Sequence, residues 1–166
     1  MPGAIANAST LINLASIGHL ELLREFHGKI AIPPAVWREV VVEGRNRPGA
    51  LEVERAREAG WIEVQAPQNR DLVKSLQRDL DIGEAEAIAL AVERKAAVVF
   101  LDETDARRVA DIYGLHKTGV IGVLIRAKWA GKISSLKDEL DRLREDAGFW
   151  IDDRLYEQVL KEAGEA

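Results

Sequence analysis

The residues best suited to chemistry lie in the stretch 83–105, GEAEAIALAVERKAAVVFLDETD. Glu84 and Glu86 open what reads as a helix. Asp102, Glu103 and Asp105 crowd the point where an apolar strand, residues 97–101, comes to its end. Carboxylates gathered in this way repel one another unless something positive lies between them, and a divalent cation held by oxygen ligands is the usual remedy. Asp102 is the foremost of these candidates. A carboxylate directly after a buried strand is costly unless it is hydrogen-bonded or paired with a cation. Its alternative role is a cap on a helix starting near Thr104. Asp105, three residues on, can face the same way. For Glu84 and Glu86 the alternative is the helix dipole, which favours acids in a first turn with no metal involved. The two point to different sides of their helix, so only one, Glu84, suits a shared site.

Further candidates lie elsewhere in the chain. Asn7 follows a short apolar strand, where its carbonyl oxygen can ligate a metal or its side chain can shape the turn. Glu39 sits on a helix whose other face carries Val36, Trp37 and Val40, with Glu43 four residues on; a solvated helix glutamate is the alternative. Arg45 and Arg47 occupy a basic, turn-rich loop, and Arg107 and Arg108 follow Asp105. Each arginine alone reads as solvated charge; together they suit phosphate contacts beside an acidic site. His19, His27 and His116 are scattered, with no partner at ligand spacing. There is no HExxH, GxxxxGK[ST], GxSxG or GxGxxG, so a nucleotide-cradling loop or an activated serine has no support.

These residues need a scaffold, and hydrophobic periodicity predicts one. Short strands are expected over residues 4–6, 29–32, 61–64, 97–101 and 115–118. Helices are expected between and after them, with Ser9 or Thr10 capping the first, Gly28 ending the second and Pro34 opening the third. The unbroken apolar run 97–101 is the mark of a central strand buried on both faces. Strands alternating with helices argue for a three-layer α/β/α fold on a mostly parallel sheet, in which ligands bind at the carboxyl ends of strands. Asn7 and Asp102 would lie on that same edge. Two helices beyond residue 133 complete the chain. Trp129, Phe149 and Trp150 belong either to the core or to an interface.

Composition narrows the classes. At 166 residues one domain is the default. A net charge of −5 argues against a dedicated duplex-DNA binder but not against an RNA-cutting enzyme whose metal ions offset local charge. With no cysteine there is neither a disulfide nor a thiolate metal site, which fits a cytoplasmic protein. No apolar run reaches the roughly 18 residues a membrane span needs, and the N-terminus lacks the pattern of a signal peptide.

The order of the segments IANASTLINLASIGHLELL, IAIPPAVWREVV, DIGEAEAIALAVERKAAVVFLDETDARRVA and GVIGVLIRAKWAGKI resembles the PIN domain family of metal-dependent nucleases. The likeness is to a prokaryotic branch related to VapC toxins. It covers residues 4–133, so 1–133 is expected to be the PIN-like domain and 134–166 a helical extension packed on it or on a partner. The resemblance implies a catalytic set of Glu39, Glu84 and Asp102. It implies a Mg²⁺ or Mn²⁺ site of Asn7, Glu39, Glu84, Asp102 and Asp105, and hydrolysis of RNA phosphodiesters with Arg45, Arg47, Arg107 and Arg108 near the substrate. A toxin role, a small antitoxin protein as partner, and a homodimer follow from the same likeness. This sequence departs from the family in having Asn7 where an aspartate is usual, which removes one negative charge, and Glu84 where aspartate is commoner. The alternatives are a weakened or inactive PIN-like module that binds nucleic acid or protein, and a plain α/β interaction protein with incidental acids.

Overall fold

The computed structural model describes residues 3–166. Five short strands, β1 (Ala4–Ala6), β2 (Ile30–Ile32), β3 (Ile62–Val64), β4 (Val98–Phe100) and β5 (Lys117–Thr118), pair in parallel in the order β3-β2-β1-β4-β5. Ten α-helices among the described residues connect and follow them: α1 (Ala8–Ser16), α2 (Glu21–His27), α3 (Pro34–Trp37), α4 (Ala50–Glu58), α5 (Arg70–Leu76), α6 (Ile82–Arg94), α7 (Thr104–Ile112), α8 (Val120–Trp129), α9 (Leu136–Glu145) and α10 (Asp153–Glu162). All five expected strands form, β1 over the expected residues and the other four shortened.

The strands send alternate side chains to opposite faces, and each face has its own apolar layer. Ala4, Ala6, Ile30, Ile32 and Phe100 join one cluster with Leu11, Leu14, Val53 and Leu124. Ile5, Ala31, Val99 and Leu101 join the other with Ala85, Ile88, Ala89 and Val109. Helices therefore cover both faces, as the apolar strands require. The small residues of α6, Ala85, Ala87, Ala89 and Ala91, are all fully buried, which lets that helix lie close to the sheet. Leu136, Leu140 and Leu143 of α9 and Tyr156, Val159 and Leu160 of α10 join the first cluster, with α9 packed on α8 and α10 on α9.

Two local expectations are corrected. Neither Ser9 nor Thr10 caps α1; Asn7 holds the cap position without a side-chain bond, and Thr10 instead donates its hydroxyl hydrogen to Asp102 Oδ2 at 2.6 Å. The helix begins at Ala8, so Ser9 and Thr10 lie inside its first turn, past the position from which a side-chain oxygen accepts a free N–H. The helix entered at Pro34 does not stay regular. It passes from α3 into a π-helical turn, Arg38–Val42, closed by the Glu43 N–H on the Arg38 carbonyl at 2.8 Å. Such turns are rare and tend to occur at functional sites.

That turn bears Glu39, and its position depends on a buried carboxylate. Glu86, 5 % exposed, accepts the Ala35 N–H in the first turn of α3 at 2.8 Å and the Arg70 guanidinium at 2.7 Å. It thus ties α3 to α6 and faces away from Glu84, as its place on the helix requires. Glu86→Ala would leave a buried N–H unpaired, and urea denaturation is expected to show a loss of about 2 kcal/mol. Wild-type stability in that variant would mean that the bond does not hold α3.

Candidate metal centre

β1 and β4 are adjacent and in register, with Ala6 opposite Phe100. Asn7 follows β1 directly and Asp102 comes two residues after the end of β4, so both lie at the carboxyl edge of the sheet. A cleft of about 820 Å³ opens there, lined by Asn7, Glu39, Glu84, Asp102 and Asp105 along with Asp81 and Glu103. The five sequence candidates for metal binding are brought to one place. None of the four candidate arginines lines this cleft: Arg45 and Arg47 stand exposed on the loop after the π turn, and Arg107 lines an adjoining groove that shares Asp102. Arg107 donates to the Leu101 carbonyl at 2.8 Å, beside Asp102, and Arg108 pairs with Asp105 at 3.1 Å on the surface.

Asp102 is fixed on both oxygens. Oδ2 accepts from Thr10 and Oδ1 accepts the Val120 N–H at 3.0 Å. Val120 opens α8, so Asp102 does cap a helix, but α8 rather than the α7 expected from its neighbours in sequence. Gly119 makes this possible, since a Cβ there would lie 2.3 Å from Asp102 Oδ1. Burial pushes the Asp102 carboxyl up from its ordinary range; the bonds from Thr10 and Val120 and the charge of Arg107 hold it back.

Glu84, 7 % exposed, forms a capping box with Asp81. Its N–H donates to Asp81 Oδ1 at 2.8 Å, and its Oε1 accepts the Asp81 N–H at 3.1 Å. Helix capping is thus a real part of its role. Burial nonetheless pushes its pKa up to about 7; the bond from the Asp81 backbone opposes this, and the charges of Asp81, Glu103 and Glu39 add to it. Glu39 is raised for the same reasons, burial first, then Asp81 and Glu43. Asn7, 4 % exposed, packs against the first turn of α6, where a Cβ on Gly83 would lie 3.3 Å from its Oδ1. Its side chain has no hydrogen-bond partner among the described residues.

Asp81 is the acid that sequence reading missed. Its signal was present: Asp81-Ile82-Gly83-Glu84 has the spacing of a capping box ahead of an apolar helix. Glu103 reads in sequence as a bystander, yet it lines the cleft and raises Glu84. Ser9 also reaches the cleft wall, with its hydroxyl oxygen buried and unpaired.

A protein-family model described as PIN domain matches residues 3–165. The chain belongs to the PIN domain family. The match takes in α9 and α10 as well as the segments that carry the resemblance. No curated protein matches the chain. PIN domains are generally nucleases, bind nucleic acid and typically use divalent metal ions. No helix among the described residues of this PIN domain is long and apolar enough to cross a membrane.

The donor set of this PIN domain fits such an ion in chemistry: every candidate ligand is an oxygen, and carboxylates and carbonyls suit Mg²⁺ and Mn²⁺. Among the described residues no three acids already converge as a closed ligand group. What they share is a cleft, and a cation there would favour the charged form of the three raised carboxyls, Glu39, Glu84 and Asp102.

The Glu84 shift has a pH signature. Its folded pKa of about 7 lies above the ordinary 4.5, so the folded state holds that proton more tightly. Stability from this group is full below pH 4.5 and is lost as pH rises towards 7, about 3 kcal/mol in all. In metal-free buffer, Glu84→Gln is expected to remove that fall, because glutamine keeps the capping bond and cannot ionise. Urea titrations between pH 4.5 and 7.5 check this; equal slopes in both proteins would contradict it.

Proposed function

We propose that this PIN domain is a Mg²⁺- or Mn²⁺-dependent endoribonuclease. The observation that carries this reading is the convergence of Asn7, Glu39, Glu84 and Asp102, from four separate segments, on one cleft at the sheet's carboxyl edge. Glu39, Glu84 and Asp102 would hold the ion, with Asn7 offering a neutral oxygen and Asp105 a further carboxylate at the rim. A divalent cation bound there supplies Lewis-acid activation of water and neutralises charge developing on a phosphate.

The protein's own residues do the rest. Thr10 and the Val120 N–H fix the Asp102 carboxylate, so it presents one orientation to the cleft. The capping box fixes Glu84. Its raised pKa means that it gives up its proton when a cation arrives, so metal affinity rises with pH up to about 7. The chain's acidity works against a polyanion, and Arg107 and Arg108 beside the cleft, with Arg45 and Arg47 further off, would offset it locally. A toxin role with a small antitoxin as partner, a homodimer, and a cytoplasmic setting belong to the same reading.

Asn7 favours a second reading, a PIN module that binds nucleic acid or protein with little catalysis. It is the one position of the set that lacks charge, so the site has one negative charge fewer to hold a cation. Calorimetry with Mn²⁺, together with an RNA cleavage assay, separates the two. Asp102→Asn is expected to keep the fold, since the amide can still accept from Val120 and donate to the Thr10 oxygen, while cleavage falls at least a hundredfold. Asn7→Asp is expected to tighten Mn²⁺ binding about tenfold or more, as an added carboxylate ligand should. No Mn²⁺ binding at millimolar concentration, or full cleavage by Asp102→Asn, would favour the second reading.

A further inference from the structure

The largest exposed apolar side chain beside the cleft is Trp150, 81 % exposed. It lines the acidic cleft and also a second groove of about 540 Å³, which shares Asp102, Thr104 and Phe149 with the first. The indole thus stands at the junction of two connected depressions, next to the carboxylate that closes β4. Nothing in the metal site uses it.

An indole left in water has to be held in place by its backbone, and here it is. Gly148, at φ +66°, turns the chain out of α9. The Phe149 N–H donates to the Leu143 carbonyl at 2.9 Å, and the Arg144 guanidinium donates to the Ile151 carbonyl at 2.7 Å. Arg144 itself lies over the Tyr156 ring at 4.2 Å. Phe149 packs on the core and Ile151 is buried, so the residues on either side of Trp150 point inward while it points out. A rigidly presented aromatic loses little freedom when a flat partner settles on it.

We propose that Trp150 is a base-stacking subsite for single-stranded RNA at the mouth of the acidic cleft. The inference rests on the nuclease reading above, which determines the occupant. A phosphate placed at the carboxylates carries its neighbouring nucleotides along the cleft wall and into the adjoining groove, and Trp150 is the π-surface at that junction. Every base has a face that stacks on indole, so the contact favours unpaired strands without selecting a sequence. Duplex RNA keeps its bases stacked on each other and cannot offer one.

The test compares wild type with Trp150→Ala and Trp150→Phe on single-stranded and duplex oligoribonucleotides in Mn²⁺, with steady-state cleavage and binding of a phosphorothioate single strand. Trp150→Ala is expected to raise KM on single strands about tenfold with little change in kcat, to leave duplex parameters as they were, and to lose the quenching of indole fluorescence on binding. Trp150→Phe is expected to recover most of the affinity without the quenching. Cleavage by wild type with an unchanged KM in Trp150→Ala would overturn the subsite and leave the nuclease reading standing. Absence of both binding and cleavage in wild type would overturn both. A lower oligomeric mass for Trp150→Ala in light scattering, with RNA binding intact, would assign the indole to a protein contact instead.

Discussion

The in-register parallel pairing of β1 with β4 is the constraint on which the site depends. Because Ala6 stands opposite Phe100, both strands end at the same level, and Asn7, next after β1, and Asp102, two residues past β4, both reach the cleft at the carboxyl edge. The rest of the cleft is arranged around that pair. Gly119 allows the N-terminus of α8 to close on Asp102, and Gly83 allows the first turn of α6 to close on Asn7. With α6 comes Glu84, and with Glu86 on the same helix comes the start of α3 and so the π turn of Glu39. Two glycines and one buried carboxylate therefore position four cleft residues that are distant in sequence.

That arrangement works against the stability of the metal-free protein. Burial raises Glu39, Glu84 and Asp102, and neighbouring acids add to the rise of Glu39 and Glu84. A fold selected for stability alone would place neutral residues at such an edge or pair the acids with cations. Here Arg107 acts on Asp102 and Arg108 pairs with Asp105 at the surface, while Glu86, the buried glutamate bonded to an N–H and a guanidinium, lies outside the cleft. Asn7 lessens the repulsion by one charge. It thereby eases the metal-free state and weakens the pull on a cation, so the same substitution acts on stability and on function in opposite directions.

Much of the fold was legible because it follows from local pattern. The apolar run 97–101 could only be a central strand, and strands alternating with helices imply parallel pairing and a single carboxyl edge. From that edge Asn7 and Asp102 can be pooled in sequence, and Glu84 joins them through the family resemblance. What sequence could not show depends on contacts across the chain. Thr10 reads as a helix cap until Asp102, 92 residues away, takes its hydroxyl. Asp102 reads as a cap for the next helix but serves α8, whose first residue is 18 positions on. The π turn at Arg38–Val42 leaves no trace in hydrophobic spacing, and Trp150 could not be told from a core aromatic, since both readings fit one tryptophan after a helix.

The central claim is that these acids and Asn7 form one cation site. Anomalous diffraction from crystals soaked in Mn²⁺ near neutral pH measures it most directly. The expected result is a single strong peak in the cleft, within ligand distance of Glu84, Asp102 and Glu39 or Asn7. A map with no peak there while the acids keep their present positions, or with Mn²⁺ bound elsewhere on the surface, would contradict it.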